Sequence, residues 1–263
     1  MTLSDPKTLS RLSKNGIPKK EFEDSLGMES ELTLELLKAQ GMNIALHNDV
    51  YLFESTVTSV DDTLFCIVDV ESNGSKPSRD QIIEIGAVKL QNGRILDTYE
   101  SLVYCNSISD QIQEITGIKV EQTLKAPVMG KVMREFRLFL GDAVFVGHDA
   151  KFDYNFVSGM MERVGLQKLL NRSLCTIDLA ERTIESERYG LKYLNEQLEL
   201  YKDATHHRAL SDAMTTTKLL KRTLTLIPST IHNTEELIAF SKEAKRLKRP
   251  KVKKEEKRIK IEE

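Results

Sequence analysis

The stretch that decides the fold is Phe65-Cys66-Ile67-Val68-Asp69-Val70-Glu71-Ser72-Asn73-Gly74. An apolar run typical of a buried strand ends in two carboxylates and then in a polar turn. Because side chains alternate along a strand, Asp69 and Glu71 share one face. Their charges repel each other, and a bound divalent cation would offset that repulsion. An acidic surface turn is the alternative, and this stretch alone does not decide between the two.

The composition predicts a folded protein with one large domain, or with one domain and a small appendage. The chain has 263 residues, of which 40% are hydrophobic and 30% charged. Its net charge of −2 is unevenly distributed, at −3 over residues 1–58, −5 over 59–241 and +6 over 242–263. The three cysteines do not have the spacing of a zinc site. Without a signal peptide or an apolar run of ~20 residues, we expect a cytoplasmic protein with no membrane contact.

Residues 1–58 are expected to form a separate small α+β domain. The predicted helices begin at Pro6, Pro18 and Ser30 and end at Gly16, Gly27 and Gly41. A hairpin with its turn at 47–49 follows, so that the whole has the outline of a winged-helix domain. The third helix carries Glu31, Glu35 and a single lysine, Lys38. An acidic helix fits a phosphate backbone poorly, which favours a packing or protein-interaction module over a DNA-binding one.

Residues 62–228 are expected to form the main domain, after a short polar linker at Ser59–Thr63. Asn92-Gly93 predicts a hairpin between strands 81–90 and 94–103. Further strands are predicted at 143–147 and 173–177, and helices at 109–116, 128–140, 152–164, 191–198 and 208–224. This order predicts an α/β fold with a mixed five-stranded sheet flanked by helices. Glu84 lies among apolar residues, and we expect it at the surface.

Residues 229–263 are expected to form a helix over 234–247 and then a basic, partly disordered tail. The stretch Lys-Arg-Pro-Lys-Val-Lys-Lys-Glu-Glu-Lys-Arg occupies residues 248–258. A solvated tail is one interpretation of such a charge run. A nucleic-acid contact and a docking peptide that folds on a partner are the other two.

Three further sites carry side chains suited to catalysis. The segment His148-Asp149-Ala150-Lys151-Phe152-Asp153 joins a buried strand to a helix. Asp153 near the helix start would be favoured there by the helix dipole alone. Asp212 lies within an amphipathic helix, and His207 precedes it by five residues. Each of these residues has an ordinary structural explanation when it is taken singly.

Taken in order, the motifs are Asp-x-Glu, His-x-x-x-Phe-Asp and His-x-x-x-x-Asp. This order resembles the DEDDh, or DnaQ-like, family of 3′→5′ exonucleases over residues 62–226. The resemblance includes residues 82–90, 115–118 and 207–213, and it implies an RNase H-like fold. Within the family it is greatest to the proofreading (epsilon) subunits of bacterial DNA polymerase III.

The resemblance also implies a mechanism. Two Mg²⁺ or Mn²⁺ ions are expected to be held by Asp69, Glu71, Asp153 and Asp212, because hard cations prefer carboxylate oxygens. His207, rather than His206, is expected to be the general base that activates water. Substrate contacts are expected at Ser72, Asn73, Gly74, His148 and Phe152. For Phe152, a place in the core is the alternative to stacking on a base.

The expected reaction releases nucleoside 5′-monophosphates from DNA 3′ ends, as proofreading beside a replicative polymerase subunit would require. A stand-alone enzyme that trims RNA or short oligonucleotides would use the same residues. A non-catalytic binding scaffold is the alternative of another class. The chain departs from the family pattern at Asp149, where Asn is common, and at Ser72-Asn73, where two threonines are common. No polymerase-docking tail is recognisable.

Overall fold

The computed structural model describes residues 5–26 and 30–250, which form a small N-terminal unit and a larger mixed α/β unit. The expected end of the second helix at Gly27 and the basic tail beyond residue 250 lie outside these residues. Among the described residues, no helix combines the length and the apolar character that crossing a membrane requires.

The N-terminal unit contains three helices and a three-stranded antiparallel sheet. Its elements are α1 (Pro6–Leu12), β1 (Ile17–Pro18), α2 (Lys19–Leu26), α3 (Ser30–Ala39), β2 (Ile44–His47) and β3 (Val50–Phe53). Asp5 caps α1 by accepting a hydrogen bond from the amide of Thr8 at 3.3 Å. Asn48 and Asp49 form the turn between β2 and β3, and both have positive φ, as a two-residue hairpin turn of this kind requires.

This arrangement agrees with the predicted order of helices and hairpin, but α1 ends at Leu12 rather than at Gly16, and one strand is added. His47 ends β2 instead of entering the turn, and β1 pairs with β3 to give the order β1-β3-β2. The second helix begins at Lys19, because Pro18 belongs to β1. The winged-helix interpretation of this unit stays a prediction.

The N-terminal unit packs directly against the larger one. The side-chain amide of Asn43 donates to Asp142 at 2.7 Å, and the guanidinium of Arg172 lies 4.7 Å from the ring centre of Phe53. The segment that we expected to be a polar linker is part of this contact. Ser59 forms a β-bridge with Asn233, and the hydroxyl of buried Thr63 hydrogen-bonds that of Thr234.

The larger unit is built on a five-stranded mixed sheet, as predicted. Its strands are β4 (Phe65–Ser72), β5 (Ile82–Gln91), β6 (Arg94–Leu102), β7 (Val144–Gly147) and β8 (Ser173–Cys175). Their order is β6-β5-β4-β7-β8, with an antiparallel meander over β4 to β6 and parallel pairing of β7 and β8. The turn at Asn92-Gly93 has φ values of 51° and 67°, which fit the hairpin that this dipeptide predicts.

Helices cover both faces of the sheet. They are α4 (Asp110–Thr116), α5 (Val120–Thr123), α6 (Met129–Leu140), α7 (Ala150–Arg163), α8 (Thr176–Thr183), α9 (Leu191–Leu198), α10 (Ala209–Leu224) and α11 (Thr234–Glu243). Val68 packs with residues of α6 and α7 on one face, whereas Ile67 packs with residues of α10 and α11 on the other. By the same alternation Asp69 and Glu71 point to the α10 face.

Four helices of the larger unit differ from the expectation. The short helices α5 and α8 were not predicted, and α7 begins two residues earlier than expected. Helix α11 ends at Glu243 rather than at residue 247. Its end is set by tertiary contacts, because the guanidinium of Arg182 donates to the carbonyl oxygens of Lys242 and Ala244.

Candidate active site

The site begins at the end of β4, where Asp69 and Glu71 are both partly exposed. Their partners across the β4–β5 ladder are Gly86 and Glu84, and a β-bulge follows Glu71. A bulge redirects the strand at this point. The two carboxylates therefore lie at the edge of the core, where they are accessible to solvent and yet largely surrounded by protein.

Gly86 lets the first turn of α10 lie directly on the sheet. A Cβ atom at this position would lie 2.2 Å from the backbone nitrogen of Leu210 and 2.3 Å from the carbonyl carbon of Ala209. Only glycine permits so close an approach of two backbones. This contact brings Asp212, in the first turn of α10, to the carboxylates of β4.

Glu84 is fully buried, which corrects the expectation of a surface position. Its carboxylate accepts hydrogen bonds from Arg208 Nη2 at 2.7 Å and from the amide of Ala209 at 2.9 Å. The arginine compensates for the buried charge, and the hydrogen bond from the Ala209 amide caps the N-terminus of α10. Glu84 and Arg208 thereby hold the chain that carries His207. The sequence signal that could have revealed this buried position is a single carboxylate inside the apolar strand β5.

Asp153 reaches the site from the first turn of α7. Its Oδ1 accepts a hydrogen bond of 3.1 Å from the amide of Val70, which lies between the two β4 carboxylates. Gly147 makes room for it, since a Cβ there would lie 3.1 Å from Asp153 Oδ2. The N-cap residue Asp149 has φ of 76°. Asn and Asp are the non-glycine residues best suited to this conformation, which explains why Asp can stand where Asn is common.

Two histidines precede Asp212 and contact it differently. The backbone amide of His207 donates to Asp212 Oδ2 at 2.9 Å, while its ring is exposed. The ring of His206 is half-buried, and its Nδ1 lies 3.3 Å from Asp212 Oδ1. One ring nitrogen of His207 and one carboxylate oxygen each of Glu71 and Asp212 lie within 4.8 Å of one another.

Burial and the nearby negative charges disfavour the ionisation of Asp69, Glu71 and Asp153. Burial, followed by the charges of Asp153 and Asp212, raises the pKa of Asp69 well above its usual value. Burial and Asp212 raise the pKa of Glu71 to about 7, and burial likewise raises the pKa of Asp153. A cluster of oxygen donors with this excess of negative charge fits hard divalent cations such as Mg²⁺ or Mn²⁺.

The turn after β4 uses its polar side chains within the protein. Ser72 Oγ donates to the carbonyl oxygen of Gly74 at 2.6 Å. Asn73 donates to the carbonyl oxygen of Ser107 at 3.2 Å and accepts from the amide of Gln81 at 2.8 Å. The absence of a side chain at Gly74 accommodates a carboxylate, since a Cβ there would lie 2.3 Å from the carboxyl group of Asp80. The predicted substrate contacts in this turn stay predictions.

His148 is held by protein groups on both ring nitrogens. Its Nε2 lies 2.8 Å from the carbonyl oxygen of Tyr189, and its Nδ1 lies 2.9 Å from Thr176 Oγ1. Burial lowers its pKa to about 4, so that the ring is neutral at pH 7 and its Nε2–H donates to Tyr189. Phe152 is 37% exposed and packs on buried Phe156 with 4.9 Å between ring centres. It therefore presents an aromatic surface and is not part of the closed core.

A cleft of about 450 Å³ adjoins the carboxylates. It is lined by Arg188, Gly190, Leu191, Lys192, Tyr193, Glu196, His206, His207 and Asp212. The wall formed by α9 and the loop before it carries two cationic side chains, one aromatic ring and the carboxylate of Glu196. The sequence motifs did not indicate this wall, because its residues belong to α9 and to the loop before it.

Replacing Gly86 with alanine is expected to lower kcat/KM, for the exonuclease reaction that the sequence motifs imply, at least tenfold. The added methyl group must push α10 off the sheet, an overpacking that costs about 1–3 kcal/mol and displaces Asp212. Hydrolysis rates and the melting temperature would be measured for both proteins. Gly130→Ala is the matched control, since the nearest atom to its Cβ belongs to the flexible side chain of Arg134 at 3.5 Å. Equal activity of the Gly86 and Gly130 variants would contradict this role.

The chain also matches known proteins in sequence. The model of the exonuclease family of the RNase T type matches residues 66–220, which is more than half of the chain. The PolC-type DNA polymerase III of Thermotoga maritima is 37% identical over 162 residues, covering 61% of this chain. The corresponding enzyme of Staphylococcus saprophyticus is 32% identical over 179 residues, covering 66%. In each case the match spans 12% of the polymerase's own length.

Solved structures share the fold. Exonuclease X in complex with 5′ overhanging duplex DNA is 25% identical with a TM-score of 0.54, and the match covers 67% of this chain and 99% of that one. Exonuclease I of E. coli in complex with a dA16 oligonucleotide is 14% identical with a TM-score of 0.52, over 61% of this chain and 41% of that one. The second likeness confirms the fold alone. With its family model matched over more than half of its length, the chain belongs to the exonuclease family, as the order of its motifs predicted.

Proposed function

We propose that the protein is a divalent-metal-dependent 3′→5′ exonuclease that releases nucleoside 5′-monophosphates from DNA 3′ ends. The observation that carries this proposal is the meeting of carboxylates from β4, α7 and α10 beside an exposed histidine. Burial raises the pKa of Asp69 well above its usual value, and the neighbouring charges that raise it further all belong to carboxylates. A cation-binding catalytic centre accounts for that arrangement.

The proposed metal ligands are Asp69, Glu71, Asp153 and Asp212. When bound, two Mg²⁺ or Mn²⁺ ions would supply Lewis-acid activation of water and of the scissile phosphate. The chain itself orients these carboxylates through the amide of Val70 and the amide of His207, which hydrogen-bond Asp153 and Asp212 respectively. Both amides prearrange the oxygens before the substrate arrives.

His207 is the proposed general base. Its ring is exposed at the cleft, close to Glu71 and Asp212, where a water molecule attacking the terminal phosphodiester could give up a proton to it. Imidazole can accept a proton near neutral pH. The role proposed for His206 is to position Asp212, because its ring already contacts that carboxylate.

DNA is the proposed substrate, and a replicative polymerase is the proposed partner. The solved structures of exonuclease X and exonuclease I are complexes with DNA, and PolC-type DNA polymerase III contains a region similar to this chain. We propose that this chain removes mispaired 3′ nucleotides beside such a polymerase. A stand-alone enzyme that trims RNA or short oligonucleotides is the alternative, since the same residues could hydrolyse both DNA and RNA.

The decisive experiment compares substrates of one sequence. Single-stranded DNA, single-stranded RNA and a primer with a mispaired 3′ end would each carry a 5′ label and be incubated with Mg²⁺, Mn²⁺ or EDTA. We expect a ladder that shortens from the 3′ end, mononucleotide 5′-monophosphate products and no reaction in EDTA. Preference for the mispaired DNA supports proofreading, and preference for RNA supports the alternative. Products with a 3′-phosphate would overturn the proposed reaction.

Co-purification tests the proposed partner separately. The full chain would be isolated from its native cells under mild conditions, and the proteins bound to it identified by mass spectrometry. We expect a replicative polymerase subunit in stoichiometric amount. A chain that elutes alone, with unchanged nuclease activity, would favour the stand-alone enzyme.

A further inference from the structure

The segment after α11, residues 244–250, is fastened to α8 by buried charges that catalysis does not use. Glu181 is only 6% exposed, and it pairs with Arg246 Nε at 2.8 Å and with Arg249 Nη2 at 3.1 Å. Its carbonyl oxygen accepts a 2.8 Å hydrogen bond from the amide of Leu247. Arg182, 9% exposed, donates to the carbonyl oxygen of Ala244. We call residues 244–250 the strap.

One residue of the strap contacts the chain segment that forms part of the cleft wall. The guanidinium of Arg249 is centred 5.4 Å from the ring of Tyr189, which is only 7% exposed. The carbonyl oxygen of Tyr189 is held by His148, and the neighbouring residues Arg188 and Gly190 line the cleft beside His207. Arg249 of the strap thus contacts the residue that lies in sequence between two residues of the cleft lining.

The charge of the strap contrasts with that of the catalytic unit. Residues 59–241 carry net −5, whereas the strap contains Lys245, Arg246, Lys248 and Arg249 and no acidic residue. Lys245 and Lys248 are exposed. Arg188 and Lys192 add two further cationic side chains in the lining of the cleft.

We propose that the strap is a binding surface for the phosphate backbone of a nucleic-acid strand whose 3′ end lies in the cleft. An acidic domain repels a polyanion, and a few lysines and arginines fixed beside its active site supply the missing attraction. Pinning the strap through Glu181 and Arg182 keeps Arg249 at Tyr189, whose sequence neighbours line the cleft. This inference rests on the proposed action on nucleic-acid strands.

The test removes charge from the strap without touching its anchors. Lys245→Ser/Lys248→Ser would be compared with Lys125→Ser/Lys131→Ser, which removes two exposed lysines near α6 on the other face of the sheet. Binding of labelled 30-nucleotide DNA and RNA would be followed by anisotropy in EDTA, in an Asp69→Asn background and over a range of NaCl. Each lost phosphate contact lowers the salt slope of a single strand by about 0.7.

We expect the strap variant to bind the 30-mer about fivefold more weakly at about 50 mM NaCl, with a salt slope lower by about 1.4. The control pair should bind as the parent does. When Asp69 is intact, both double variants should hydrolyse a dinucleotide at the parental rate, because a dinucleotide is too short to reach the strap. Unchanged 30-mer binding, or equal weakening by the control pair, would overturn the inference. If the parent protein hydrolysed no substrate but still bound the 30-mer through the strap lysines, the proposed function would be refuted and the binding surface would stand.

Discussion

Asp69→Asn is expected to lower the turnover of metal-dependent hydrolysis at least a thousandfold. The change keeps the shape of the side chain but removes the charge from the proposed ligand at the centre of the carboxylate cluster, where Asp153, Asp212 and Glu71 all act on it. Initial rates on a 5′-labelled oligonucleotide in Mg²⁺ and in Mn²⁺ would measure the loss. Asp149→Asn is the matched control, since this exposed N-cap residue undergoes the same chemical change. More than a tenth of the parental activity in the Asp69 variant would contradict the proposed site.

The same variant is expected to be more stable than the parent when divalent cations are removed. A group whose pKa is raised by folding stabilises the native state below its unfolded pKa and loses that contribution as pH rises through the folded value. Each unit of raised pKa corresponds to about 1.4 kcal/mol, or a melting-temperature difference of about 3–6 °C for a domain of this size. In EDTA, the melting temperature of Asp69→Asn should therefore be several degrees above that of the parent at pH 8. At pH 4 the two melting temperatures should be equal.

Added Mg²⁺ or Mn²⁺ should reverse that order. Cations that bind only the native parent raise its melting temperature by mass action, and the variant that lacks the ligand gains less. Thermal unfolding in EDTA and in about 5 mM metal, a concentration suited to weak hard-cation sites, would show the difference. A parent whose melting temperature is the same in EDTA and in metal at pH 8 would refute the metal site without any activity measurement.

His207→Ala is expected to lower kcat by about 10²–10⁴, the range that general bases contribute. The ring is exposed, so its removal leaves no buried cavity, and folding should be unaffected. The pH dependence of kcat would be measured for parent and variant. Loss of the base should remove the acidic limb of the parental profile, whereas a lost structural contact would lower the rate equally at every pH.

His206→Ala is the natural comparison, because the two histidines are adjacent. It removes a ring that lies 3.3 Å from Asp212 and should weaken metal affinity rather than remove the base. We therefore expect a smaller loss of kcat, partly restored by higher metal concentration. If His206→Ala were the more damaging change, and metal did not rescue it, the base would be His206.

Local signals predicted most of the fold. The apolar run of β4, the Asn92-Gly93 turn and the helical spacing of α6 and α10 are each encoded within a few residues. The short α8 escaped prediction because it follows β8 without an intervening turn and begins with residues of ordinary strand preference. The N-terminal elements were predicted in order, but β1 was not, since two residues carry no periodicity.

The sequence alone predicted an exonuclease, because a known family is resembled by the order and spacing of Asp69, Glu71, Asp153, His207 and Asp212. Only the tertiary structure decided how those carboxylates are supported. Glu84 and Arg208 are 124 residues apart, and no local pattern links a buried acid to the arginine that neutralises it. The same holds for Gly86 under α10 and for the strap on Glu181. Catalytic residues are recognised by their motif, whereas their supports depend on packing between distant segments, which local periodicity does not record.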